Sequence, residues 1–373
     1  MNGPRIEVDL HKLRHNTRTV VERMKGRGIQ VTAVTKAVCG HPAIAWAMLD
    51  GGAAGLAEAR LSNVKRLRQA GVTCPITLIR TPMLSQVDDI VQVCEASYNT
   101  EIPVIAALAA AALRQNTTHD IVLMVEMGDL REGILPQDIG YIGQQVVDMP
   151  GVALKGIGAN FACLSGIAPT ATKMQALTAL ANQVEGQCGR FLETVSGGNS
   201  ANLPWAFGSR ATGRINDLRI GEAILLGMDP ITGDQIGGLF RDTFTLVAEV
   251  IETDTKTASP LLGTADHAPA IIQLVPTTRE TTRIILALGN QDTDVVGLSI
   301  PAGSTLIGAT SDHHVIGTTD QKLCVGSEIR FQMNYSALMR AMAAPDIQIN
   351  LRNGRLTPDA RDVDHPSKHL VLV

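Results

Sequence analysis

The feature that most constrains this chain is a repeat of short apolar runs, each followed by a stretch of helical periodicity. The runs lie at 29–35, 53–57, 76–80, 96–100, 120–126, 154–160, 193–196 and 217–220. Helical spacing is read at 42–49, 58–70, 86–94, 103–114, 136–147 and 170–192, with one further helix at 11–25 ahead of the first run. Runs that are apolar throughout, instead of alternating, suit strands covered on both faces. Eight of them alternating with helices specify an α/β fold, a (β/α)8 TIM barrel more than an open sheet. The glycines of Gly156-Ile157-Gly158 do not make a dinucleotide fingerprint, because Phe161 stands where the third glycine belongs.

Past residue 238 the texture changes to alternating β-type segments at 244–251, 283–288, 305–307 and 328–333, with helical signal returning only at 336–342. A chain of 373 residues exceeds one hydrophobic core. The expected organisation is therefore a barrel over 11–237 followed by a mostly β C-terminal domain over 238–373, with the strand at 5–10 able to join either. Aromatics at 3% and a net charge of -4 without a basic cluster exclude a nucleic-acid partner. No stretch has the length and apolarity of a membrane span, and the first residues lack a signal-peptide core, so a cytoplasmic chain is expected. Cys39, Cys74, Cys94, Cys163, Cys188 and Cys324 have no paired spacing, which points to free thiols and no metal site.

In such a barrel the residues just past each strand share one rim. Lys36 follows the first run, and Arg131 lies in Gly128-Asp129-Leu130-Arg131-Glu132-Gly133 after the fifth. Asn160 ends the sixth, Gly197-Gly198-Asn199-Ser200 follows the seventh, and Arg219-Ile220-Gly221-Glu222 closes the eighth. An amine between apolar walls has its charged form disfavoured, which makes it a better base and a better nucleophile toward carbonyl carbon. The glycine-rich loop offers backbone N–H groups and a hydroxyl to a phosphate. Each feature has a plainer reading when taken singly: a surface lysine, a flexible turn, structural arginines. The coincidence of five segments at one rim selects the functional one.

In order and spacing, these segments resemble the fold-type III pyridoxal 5'-phosphate (PLP) enzymes, the alanine-racemase-like group, and most closely its ornithine racemase branch. With the motifs above go Ile6-Glu7-Val8-Asp9-Leu10 with Asn16, Thr35-Lys36-Ala37, Val195-Ser196, Gly289-Asn290-Gln291-Asp292-Thr293-Asp294 and Ser311-Asp312-His313. The resemblance implies a homodimer whose two sites are each completed by the partner's β domain, and racemisation of a free amino acid. It assigns Lys36 to covalent attachment of PLP, Arg131 to the phenolic oxygen and Asn160 to the ring side. Ser200, in the Asn199-Ser200 loop, goes with the backbone of Gly221 and Glu222 to the phosphate, and Arg219 to the pyridine nitrogen.

Two departures matter. Cys39-Gly40-His41 offers no phosphate-binding tyrosine, and Asn290 stands where an opposite-face catalytic tyrosine is expected. Inversion by two bases needs a proton acceptor on each face. The candidates are Tyr335, Cys163, His313 and Asp292, with Tyr335 first as a site residue, either catalytic or holding phosphate. Cys163 also reads as a small buried hydrophobe, and His313-His314 as a solvated pair. Asp292, Ser311 and Asp312 fall where the resemblance brings the second subunit to the substrate. Their acidity, with that of Asp294, suits a distal ammonium, hence ornithine and then lysine, although each aspartate also reads as a turn cap. The alternatives are a PLP-dependent decarboxylase or lyase acting on a D-amino acid, and a PLP-binding protein without turnover.

Overall fold

The computed structural model describes residues 3–254, 282–319 and 323–352; the end of the expected second domain, 353–373, lies outside the described residues. Eight parallel strands close on themselves in sequence order: β2 (Gln30–Val34), β3 (Gly55–Glu58), β4 (Ile76–Leu78), β5 (Ala96–Asn99), β6 (His119–Val125), β7 (Val152–Ala159), β8 (Thr194–Ser196) and β9 (Asp217–Ile220). All eight runs marked in the sequence are barrel strands. The second sheet takes β1 (Arg5–Asp9), β10 (Phe244–Asp254), β11 (Thr282–Ala287), β12 (Ser304–Ala309), β13 (His313–Thr318), β14 (Glu328–Phe331) and β15 (Gln348–Arg352). β1 runs antiparallel to β10 and parallel to β15, so the strand that precedes the barrel belongs to the second sheet. β13 and β15 go beyond the segments named from the sequence.

The helices are α1 (Leu10–Lys25), α2 (Pro42–Asp50), α3 (Leu61–Gln69), α4 (Val87–Val93), α5 (Ile102–Arg114), α6 (Ile139–Val147), α7 (Ala171–Cys188), α8 (Leu203–Ala206), α9 (Glu222–Leu226) and α10 (Tyr335–Ala341). Local chemistry sets their ends. The Asp9 carboxylate accepts from the backbone N–H groups of His11 and Lys12, starting α1. Leu13, Val20 and Met24 on its inner face are fully buried, each stabilising the fold by about 1.5–3 kcal/mol. Asn16, on the same face, donates to the carbonyls of Ile224 and Phe240 and accepts from Phe240 N. It ties α1 to α9 and to the crossing into the second sheet, which is a structural use for that asparagine.

Inside the barrel, Tyr98 packs with Val122 and Met124. A Cβ on Gly158 would meet the Tyr98 ring at 2.9 Å and Ser196 Cβ at 3.2 Å. That glycine is there to admit the aromatic ring.

Candidate active site

The rim residues converge on one cavity of about 740 Å³ at the C-terminal end of the barrel strands. Lys36, Arg131, Asn160, Asn199, Ser200, Arg219, Gly221 and Glu222 all line it, as do Cys163 and, from the far part of the chain, Tyr335.

Lys36 opens a single 3-10 turn, Lys36–Val38, immediately after β2. The turn is fixed from beneath by Glu58, placed in a helical stretch by the sequence pattern but ending β3 in the structure, where its side chain is fully buried. Its carboxyl accepts from Thr35 Oγ1 at 2.9 Å and from the N–H groups of Ala59 and Arg60 at 2.7 and 3.2 Å. Past these bonds Arg60 is extended, at φ -125°, and α3 begins at Leu61. The Lys36 amine forms no hydrogen bond or ion pair among the described residues, and lies 6.0 Å from the Tyr335 ring centroid.

Arg219 is nearly fully buried, and its partners are neutral. It donates to Tyr98 Oη at 3.2 Å, to Ala159 O at 2.7 Å and to Ser196 Oγ, and its guanidinium stacks 4.7 Å over the Tyr98 ring. Ser196 Oγ in turn donates to Asp217, which also accepts from Thr32 Oγ1 at 2.6 Å. Among the described residues a negative charge therefore reaches Arg219 only through a hydroxyl, and the guanidinium is held without a salt bridge.

Asp129, buried after β6, accepts from Asn160 Nδ2 at 2.7 Å and from the N–H groups of Leu164 and Ser165 at 3.0 and 3.2 Å. Asn160 in turn accepts from Asn199 at 3.1 Å, and Asn199 also donates to Phe161 O at 2.8 Å. The loops after β6, β7 and β8 are thus stitched together by three side chains. Ser200 Oγ accepts from Ala223 N at 3.2 Å, holding the loop after β8 against the start of α9. Arg131 pairs through two nitrogens with Glu132 on the same wall.

Two titrating groups stand near Lys36. Burial pushes the Glu222 carboxyl up to about 7, with Lys36 opposing and Asp229 reinforcing the rise. Burial, and next the Glu222 charge, raises the Tyr335 phenol above its ordinary value. The phenol keeps its proton, which favours donation over acceptance.

The remaining candidates do not line this chain's cavity. Asp292 accepts from Gly289 N at 2.8 Å, and Asp312 accepts from Ser311 Oγ at 2.7 Å and Gln291 Nε2 at 3.4 Å, all within adjoining turns of the second sheet. His313 is exposed at the start of β13, whereas His314 is buried and stacked on Phe331, with burial pulling it down to about 4. No cluster of metal-ligating side chains occurs among the described residues, and none of the described helices is long and apolar enough to cross a membrane. The sequence pattern assigns no role to Tyr98, Glu58, Asp129 or Asp217: Asp129 stands there only as part of a motif, and the others sit inside ordinary strand or helix patterns.

The sequence pattern of the alanine racemase N-terminal domain matches residues 8–229. The chain belongs to the alanine racemase family. Within it, the chain is 34% identical over 349 residues to the lysine racemase of Thermotoga maritima, covering 92% of this chain and 97% of that one. It is 30% identical over 352 residues to the ornithine racemase of Acetoanaerobium sticklandii, covering 93% and 99%. The alanine racemase of D-cycloserine-producing Streptomyces lavendulae superposes with a TM-score of 0.76 at 19% identity, over 95% of this chain and 98% of that chain. That superposition shares the family's barrel and its second, mostly β, part.

Proposed function

We propose that this chain is a PLP-dependent racemase of a free basic amino acid, ornithine or lysine. The observation that carries the reading is an unpaired amine, Lys36, in the same cavity as Ser200 and Arg219. The donor set fits the cofactor: a free primary amine for its aldehyde, a hydroxyl and backbone N–H groups for its phosphate, and a buried guanidinium for its ring nitrogen. Full-length relatives named for lysine and ornithine support the substrate class.

PLP, when bound, supplies the electron sink that makes the α-proton removable. Lys36 anchors the group and, once freed by substrate, takes or returns the α-proton on its own face. Arg219 is always protonated, so it disfavours protonation of a nitrogen placed beside it. The weaker sink that results suits prompt reprotonation over decarboxylation. Asn199, Asn160 and Asp129 keep the three loops in register so that Arg131 and Ser200 hold fixed positions. Of the four candidates for the second proton transfer, Tyr335 and Cys163 are the two that line the cavity.

The dimer and the location are part of the same reading. Leu130, Leu164 and Ile167 on the loops after β6 and β7 are largely exposed apolar side chains, a pattern that suits cover by a second copy. Asp292, Ser311 and Asp312 would then reach the partner's substrate. The six free thiols accord with a reducing, cytoplasmic location.

The test is incubation of the holoenzyme with L-ornithine, and separately L-lysine, in deuterated water. The D-enantiomer carrying α-deuterium supports the reading; an amine or keto-acid product overturns it. Borohydride reduction with peptide mapping must place the pyridoxyl group on Lys36.

A further inference from the structure

Two carboxyl groups line the cavity, and they are not equivalent. Glu132 is paired to Arg131, whereas Glu222 has no hydrogen bond or ion pair among the described residues. Glu222 is the first residue of α9, next to Gly221 and beside Ala223, whose N–H holds Ser200. The titratable groups facing it come from three other segments: Lys36 from the turn after β2, Tyr335 from α10, and Asp229 from the segment after α9. Asp229 is itself engaged by Ile231 N at 2.8 Å. Lys36 is thus the cation that favours an ionised Glu222, while burial and Asp229 oppose it.

We propose that Glu222 acts as a neutral carboxylic acid in the loaded enzyme, donating a hydrogen bond to the cofactor's phosphate where the turn after Lys36 offers no phenol. This rests on Lys36 being the anchoring amine. Lys36 would hold the cofactor covalently through its amine, with loss of water, so that its nitrogen would belong to the linkage and no longer be a free amine. It then no longer presents Glu222 with an uncompensated positive charge. The incoming phosphate adds between one and two negative charges, about -1.5 to -2 near neutral pH. Each change disfavours a carboxylate, so loading draws one proton onto Glu222. The neutral acid offers an O–H donor where its anion would repel.

Full-length protein stripped of cofactor is titrated with PLP at pH 8 in two buffers of different ionisation enthalpy, as wild type and as Glu222→Gln, with circular dichroism reporting folding. The wild type is expected to take up close to one more proton per cofactor than the variant. Its affinity relative to the variant is expected to fall about tenfold per pH unit above pH 7. Equal proton uptake by the two proteins overturns the proposal. Should Glu222→Gln not fold, infrared difference spectra of wild type carrying carboxyl-labelled glutamate decide it: a new protonated-carboxyl band on loading supports the role, and no such band removes it. Borohydride mapping of the same samples separates the two readings. Cofactor absent from Lys36 brings down the assigned function, whereas cofactor on Lys36 with equal proton uptake removes only the role of Glu222.

Discussion

The Lys36 amine and the Tyr335 ring, 6.0 Å apart, are separated by almost the whole sequence, and meet because α10 packs against the turn after β2. Lys36 has no bonding partner among the described residues, so removing it should spare the fold while removing the reaction. Lys36→Ala is expected to keep its melting temperature and lose racemisation by at least about 10³-fold, the scale of a general base that also anchors the cofactor. Activity within tenfold of wild type would refute the assignment.

The two groups proposed for the second proton transfer can be told apart. Tyr335→Phe removes a hydrogen-bond donor and is expected to weaken cofactor binding by about tenfold, one lost bond being worth roughly 1–2 kcal/mol. Cys163→Ala is expected to lower racemisation about 10²-fold or more. Lys36 should still exchange the α-hydrogen of one enantiomer with deuterated solvent, as followed by NMR. Racemisation that survives in Cys163→Ala and disappears in Tyr335→Phe would give that proton to Tyr335.

Glu222 makes the cofactor-free protein pH-sensitive in a definite direction. Its folded-state value, about 7, lies above that of an unfolded glutamate, so its contribution is fully present below the unfolded value and is lost as pH rises through 7. Glu222→Gln protein without cofactor should melt higher than wild type at pH 8, with the difference closing by about pH 4. Melting curves that run parallel across that range would contradict the assignment.

Asp129 has the opposite sign. Burial works to raise it, but the N–H of Leu164, the amide of Asn160 and the N–H of Ser165 together hold it below the usual carboxylate range. Its stabilisation is present above the unfolded value and lost as pH falls through the folded one. Asp129→Ala should cost about 1–3 kcal/mol by leaving buried donors unpaired, and should flatten the acid side of the stability curve. An unchanged midpoint in urea would show that the loops do not depend on it.

Gly158→Ala places a methyl 2.9 Å from the Tyr98 ring. Overpacking of this kind costs about 1–3 kcal/mol, and because Tyr98 carries Arg219, the variant should also weaken cofactor binding. A cofactor affinity equal to wild type would break that link between ring and guanidinium.

The barrel was legible because its strands are buried on both faces and read as continuous apolar runs. The rim was legible from position: Lys36, Arg131, Asn160 and Ser200 each stand one step or one short loop past a strand, and Arg219 lies near the end of β9. What stayed hidden was the support beneath them. Tyr98 looks like any aromatic in a strand, and its neighbour across the barrel is 121 residues away. Glu58 fits a helical pattern until its carboxyl is seen to take the N–H groups of the two residues after it. Asn16 carried a family motif but serves packing, and His314 has the composition of a site and the surroundings of a core.

The strand at Arg5–Asp9 lies between one at Phe244–Asp254 and another at Gln348–Arg352. During synthesis, β1 must wait for more than two hundred residues before its neighbours leave the ribosome, so the barrel can assemble well before this sheet does. The helix that delivers Tyr335 emerges in the same late interval. Lys36 is therefore synthesised and packed into the barrel long before the aromatic ring that faces it can arrive.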